Sequence, residues 1–409
     1  MSEHKRWWRG RAGAEALVTR ALAGSVLLAA AGVSGATAQL TIRLERLPRQ
    51  TPAGATIYVA GSFNGWDAAA TAFRLQPQTG GGYAITLPGS VRGLIEFKFT
   101  LGGWESVEVD SAGGDVPNRG FTVPDSGASI YHGSVAGWRD PKVAPVRVST
   151  ARPTVSVLDT AFGMPQLGRT RRVWLYLPPD YHAGTRRYPA IYMHDGQNLF
   201  DAATAYAGEW GVDETLDSLH AAGDHGAIVV GIDNGGTKRL HEYSPWRNAR
   251  YGGGEGAAYV AFIVETLKPY IDSHYRTLPD RLNTGIAGSS MGGLISLYAV
   301  LKYPKVFGRA GVFSPPLWFS PHIFGLARAA QPERPDPRIY FVTGALEIAQ
   351  GERAGIYQDE QNRMYEALTA AGFKHRTEVT ASVSPDGRHA EWFWRREFPA
   401  AYRWLFEQR

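Results

Sequence analysis

The run Gly288-Ser289-Ser290-Met291-Gly292-Gly293 centres a serine in a G-x-S-x-G pattern. It follows the short apolar run 284–288 directly. It is followed at once by Leu294, Leu297, Tyr298 and Leu301, spaced as one helix face. A strand that turns sharply into a helix needs Gly-sized residues two positions either side of the turn, and it lifts the central hydroxyl clear of the sheet. That hydroxyl can attack an acyl carbon, which makes Ser290 the candidate nucleophile. Serine is a weak nucleophile at its own pKa, so a histidine base and an acid to orient it are required. In the serine–acid–histidine chain order of such elbows, only His322, His375 and His389 follow. His389 lies in a turn after the strand-like 375–382 and before a final helical stretch, where a last loop would deliver a base. His322 precedes the acid candidates, and His375 opens a strand at its wrong end.

For the acid, Glu347 stands three residues beyond the strand 338–344, at its carboxyl end, where sheet-top functional residues belong. Glu352 and Asp359 are alternatives further along the same connection, and Asp336 sits before the strand. The developing oxyanion needs two aimed N–H donors. Met291, after the nucleophile, supplies one; the loop 196–198 after the third strand, 190–195, offers the Gln197 N–H as the other. His194 and Asp195 precede Ser290 and so do not fit the order of base and acid. Gly252-Gly253-Gly254 lacks the Lys-Ser/Thr that follows a phosphate loop.

These residues need a scaffold, and the rhythm of the chain from 154 to 409 describes one. Short β-branched runs at 172–178, 190–195, 227–233, 284–288, 310–314 and 338–344 are apolar on both faces. They alternate with helical stretches such as 259–271. This predicts a doubly wound, mostly parallel α/β sheet. Residues 39–137 read differently: strands at 41–47, 55–63, 82–88 and 95–102 are separated by glycine-rich turns, with no helical period. A small all-β sandwich is expected there. Residues 138–153, with three prolines, read as a linker.

Residues 1–38 have the layout of a secretory signal peptide: a basic start, the apolar run 21–33, and Ala36-Thr37-Ala38 as a cleavage pattern. The apolar run is too short for a stable membrane anchor, so an exported, periplasmic or secreted protein is expected. The 409 residues carry a net charge of +5, but Lys5, Arg6, Arg9, Arg11 and Arg20 supply much of it. The remainder is nearly balanced, which speaks against a nucleic-acid partner. Absence of cysteine excludes disulfides, thiolate metal sites and a cysteine nucleophile. The serine chemistry needs no metal and no organic cofactor.

On the stretches 171–181, 188–201, 209–217, 267–277, 287–315 and 387–406, the region 154–409 resembles the putative-esterase family of α/β-hydrolases. That family includes siderophore and feruloyl esterases and the antigen 85 mycolyltransferases. The resemblance implies Ser290 and His389 as nucleophile and base, an acid on the Glu347 loop, and Met291 and Gln197 at the oxyanion positions. Through YVAGSFNGWD (58–67) and EFKFTLGGWESVE (96–108), the N-terminal region resembles the glycogen-binding module of AMP-activated kinase. That resemblance implies sugar stacking on Trp66 and Trp104, with Lys98 and Asn118 bonding hydroxyls and a glucan or xylan as partner.

The sequence therefore predicts an exported serine esterase acting on a siderophore-type or polysaccharide-linked ester. Two rivals stand beside it. One is an acyltransferase of the antigen 85 type; the other is a non-catalytic carbohydrate-binding protein.

Overall fold

Alternating apolar residues on short strands can be buried only by laying two sheets face to face, and residues 39–138 do so. The strands are β1 (Gln39–Arg46), β2 (Tyr58–Gly61), β3 (Gln76–Pro77), β4 (Tyr83–Thr86), β5 (Gly93–Thr100), β6 (Glu108–Val109), β7 (Arg119–Val123), β8 (Ala128–Ser134) and β9 (Gly137–Trp138). One sheet has the order β3-β4-β1-β8, with β1 and β8 parallel; the other has the order β2-β5-β7. Leu40, Ile42 and Leu44 from the first meet Val59, Ile95, Phe97 and Phe99 from the second in one buried cluster. The computed structural model describes residues 39–111, 113–116, 118–140, 148–206, 208–348, 353 and 355–406. The expected signal peptide and Glu352 lie outside the described residues.

The second region is built on an eight-stranded sheet. Its strands are β10 (Val155–Met164), β11 (Arg169–Tyr176), β12 (Ala190–His194), β13 (Ile228–Ile232), β16 (Thr284–Ser289), β17 (Arg309–Phe313), β18 (Arg338–Gly344) and β19 (Val379–Ser384), after a two-residue hairpin β14 (Arg247–Asn248) and β15 (Gly252–Gly253). The order is β10-β11-β13-β12-β16-β17-β18-β19. The pairs β10–β11 and β11–β13 are antiparallel, and the rest are parallel. Helices α1 (Val212–Ala221) and α8 (Glu391–Phe406) cover one face. Helices α3 (Gly256–Phe262), α4 (Lys268–His274), α5 (Met291–Lys302), α6 (His322–Ala329) and α7 (Ile356–Ala370) cover the other, and α2 (Arg239–Glu242) is a single turn. The strands split their side chains between the two layers: Val173 and Leu175 join one core, Trp174 and Tyr176 the other. This is the α/β-hydrolase architecture with a β-rich region before it.

Three local readings are corrected by the structure. The strand β10 was not foreseen, because it is a largely exposed edge whose apolar residues do not alternate cleanly. The helix expected over 259–271 is interrupted by a wider π turn at Ile263–Leu267, just before Pro269, which has no N–H to give to the ladder. The strand expected from 375 begins only at Val379. Residues 374–378 form a turn in which Glu378 N–H donates to Lys374 O and Arg376 has a positive φ. The end of the expected linker is held down: Ser149 and Thr150 bond Asp201, and the Arg152 N–H donates to Asp213.

Candidate active site

The G-x-S-x-G run forms the sharp turn its composition predicts. Ser290 sits between β16 and α5 at φ 53°, ψ −127°, a conformation costing a non-glycine residue about 1–3 kcal/mol. The surrounding structure holds it there. Its N–H donates to Phe313 O at 2.9 Å. A Cβ on Gly288 would stand 3.0 Å from His194 Cδ2, and one on Gly293 only 2.8 Å from Phe313 O. Ser290 is half-buried while every residue from Thr284 to Ser289 is buried. Met291 opens the twelve-residue α5, so its N–H is one of the helix-start donors without an intrahelical acceptor, at the positive end of the dipole.

His389 and Glu347 are brought together. His389 Nδ1 lies 2.9 Å from Glu347 Oε2, which leaves Nε2 for another partner. Glu347 is 3% exposed and fully engaged. Its Oε1 accepts from Ser314 Oγ and from Gly344 N–H, both at 2.6 Å. Ser314 Oγ in turn accepts from Trp394 Nε1–H at 2.8 Å. The two loops bearing the acid and the histidine are stitched by Ala345 N–H to Ser384 O and Leu346 N–H to Gly387 O, at 2.8 and 3.0 Å. Gly344 and Gly387 meet backbone to backbone; a Cβ on Gly344 would fall 2.2 Å from Gly387 C. No hydrogen bond joins Ser290 Oγ to His389 among the described residues. Of the other candidates, Asp359 lies on α7 and pairs with Arg353, and Asp336 pairs with Arg338.

Gln197 comes two residues after Asp195, which takes a left-handed φ of 56° just beyond β12. The Gln197 acceptors are occupied: Oε1 by Asn234 N–H and the carbonyl by Thr204 Oγ1. Gln197 lines a cavity of about 410 Å³ together with Thr204, Ala205, Tyr206, Asp233, Asn234 and Gly236.

Asp195 and His194 do structural work around this loop. Burial would raise the Asp195 carboxyl, yet the bidentate Arg239 guanidinium at 2.7 Å and the Asn234 amide hold it below the ordinary range. His194, buried under the elbow and bonded through Nδ1 to Tyr259 Oη, is pushed down to about 3 by burial and is neutral. Sequence reasoning missed Ser314, Trp394, the Gly344–Gly387 contact and Glu391. Burial, with Asp195 nearby, raises the Glu391 carboxyl to about 7; His389 and Arg239 act against that rise.

In the sandwich, the Trp66 and Trp104 rings are 6.1 Å apart and tilted by 39°, with Trp104 39% exposed. Lys98 is half-buried, and burial pulls its ammonium below the usual range despite Glu108. Asn118 is exposed and donates to Glu96 at 3.4 Å.

The model of the family described as "Putative esterase" matches residues 165–405. An uncharacterized protein of Bacillus subtilis, YbbA, is 27% identical over 248 residues, 58% of this chain and 92% of that one. An endo-1,4-beta-xylanase/feruloyl esterase of Xylanibacter ruminicola is 26% identical over 247 residues, 59% of this chain and 30% of that one. Among solved structures, the enterobactin esterase of Shigella flexneri, crystallised in the presence of enterobactin, superposes with a TM-score of 0.54 at 17% identity. It covers 90% of this chain and 92% of that one. Such coverage exceeds what the eight-stranded region alone supplies, so the likeness of fold extends into the sandwich.

Proposed function

The chain belongs to the "Putative esterase" family and is a carboxylic ester hydrolase, and from that premise we propose that it works through a Ser290 acyl-enzyme. Glu347 accepts the Nδ1–H of His389 and so fixes the tautomer in which Nε2 is the base. His389 takes the Ser290 Oγ proton as Oγ bonds to the ester carbonyl carbon. The resulting oxyanion is held by the N–H groups of Met291 and Gln197. As the C–O bond to the alcohol breaks, His389 returns the proton to the leaving oxygen. Water then repeats the cycle on the acyl-serine, giving the acid and free Ser290. The observation that carries this reading is the 2.9 Å His389–Glu347 bond in a chain that also holds Ser290 on a strained elbow.

The substrate in this proposal is a siderophore-type or polysaccharide-linked ester, and the protein is exported. The name of the Shigella structure supports the siderophore-type ester, and that of the Xylanibacter relative the polysaccharide-linked one. The proposed sugar contacts of Trp66, Lys98, Trp104 and Asn118 favour the polymer. Planar indoles pack on the C–H faces of sugar rings with little loss of side-chain freedom. The test is an ester panel: nitrophenyl acetate through decanoate, methyl ferulate, acetylated xylan and a ferric trilactone siderophore. Turnover of none of them would remove the proposal. Export is checked by N-terminal sequencing of the extracytoplasmic protein, expected to begin at Gln39.

A further inference from the structure

The β2-β5-β7 sheet turns its outer face toward the loop that carries His389. Glu96 and Gly120 are register partners on β5 and β7, and Glu96 points away from the core side occupied by Ile95 and Phe97. Arg388, the residue before His389, crosses to this face. Its Nη1 lies 3.5 Å from Glu96 Oε1, while Glu96 Oε2 accepts from the Asn118 amide at 3.4 Å. The guanidinium rests over Gly120: a Cβ there would stand 3.0 Å from Nη1 and 3.4 Å from Cζ. Two residues of the sandwich, Glu96 and Gly120, thus meet one side chain of the hydrolase region, and Asn118 holds the other oxygen of Glu96.

That side chain occupies a critical place. Gly387 is pinned to Gly344 and Leu346, and α8 begins at Glu391. Between these fixed points the chain has few residues with which to aim the imidazole. Within this short span the Arg388 side chain ties the loop to the other region. A misplacement of about 1 Å at a reacting group can cost on the order of 10²-fold in rate.

We propose that Arg388 is a positioning residue, and that the sandwich uses Glu96, Asn118 and the bare backbone of Gly120 to set the histidine loop. The proposal rests on reading His389 as the base. It makes the sandwich a working part of the hydrolase even for substrates too small to touch it.

The experiment uses the full chain and nitrophenyl acetate, with kcat expressed per site titrated by a fluorophosphonate. Arg388→Ala and Glu96→Ala should each lower kcat about tenfold and leave KM within about twofold. Gly120→Val, which displaces the guanidinium without changing charge, should do the same. Arg388→Lys, which keeps the ion pair, should recover part of the loss, and so should the swap of Glu96→Arg with Arg388→Glu. Parental kcat in Arg388→Ala and Glu96→Ala would overturn the proposal. So would a loss that neither the lysine variant nor the swap relieves. His389→Ala serves as the separate arm: if it retained hydrolysis, the assignment of the base would fail instead.

Discussion

The hydrolase region and the sandwich both present residues that could bind or transform a substrate, but they expose them to solvent differently. In the hydrolase region each such residue is over-determined. Ser290 is kept at a positive φ by the Phe313 carbonyl and by glycines with no room for a Cβ. His389 is tied to a buried glutamate that is itself tied to Ser314 and, through it, to Trp394. In the sandwich, Trp66 and Trp104 are tilted against one another and Trp104 is open to solvent. Rigid, strained and desolvated placement suits bond-making, where a small error in geometry is costly. A solvent-open aromatic surface suits a ligand recognised by its face. The difference teaches that the two regions should fail differently when altered.

The sharpest contrast comes from the elbow. Ser290→Ala and His389→Ala should each lower ester hydrolysis by about 10³-fold or more with little loss of stability, since residues acting as a unit are not additive. Glu347→Ala should cost less than either, because orienting a base matters less than being one. If Asp359→Ala proved more harmful than Glu347→Ala in the same assay, the acid would be misassigned. Next in size is Gly387→Ala. A Cβ at that position would meet Gly344 Cα at 2.6 Å, so the two loops must part. A drop of about 1–3 kcal/mol in stability, read from denaturant melts, should accompany a clear fall in kcat.

The sandwich should answer to a different assay. In a full-length Ser290→Ala background, which cannot consume the ester, the protein should be retarded on a glucan or xylan gel. The Trp66→Ala, Trp104→Ala double change should abolish that retention, each lost aromatic contact costing about 1 kcal/mol. No retardation of the parent on any of several polysaccharides would break this half of the comparison.

A separate effect concerns pH. Glu391 has its carboxyl raised from 4.5 to about 7, chiefly by burial. Between those values the folded protein holds a proton that the unfolded chain has released, so this group makes stability fall as pH rises through that window. Glu391→Gln removes the charge. Its Tm relative to the parent should therefore improve between about pH 5 and about pH 8; an unchanged difference would show that Glu391 is not desolvated.

Legibility in the sequence followed the range of the interactions. The elbow was readable because one unbroken stretch, 284–301, carries its turn and both flanking elements. His389 followed from chain order, and Glu347 from its place beyond a strand that ends where the sequence predicts, at Gly344. The links from Ser314 to Glu347 and Trp394 were not readable, since they join side chains 33 and 80 positions apart. The same holds for Arg388 and Glu96, which meet only because the sandwich lies against the histidine loop. Local turn chemistry was decisive at 374–378, where Glu378 bonds back to Lys374 and delays a strand that composition alone would start earlier.

The covalent step at Ser290 is the centre of the proposed mechanism, and it can be observed directly. A fluorophosphonate should react with the parent protein once per chain, and peptide mass spectrometry should place the adduct on Ser290, with ester hydrolysis lost in proportion to labelling. The Ser290→Ala protein should remain unlabelled. An adduct on another residue, or full hydrolytic activity in stoichiometrically labelled protein, would contradict the account.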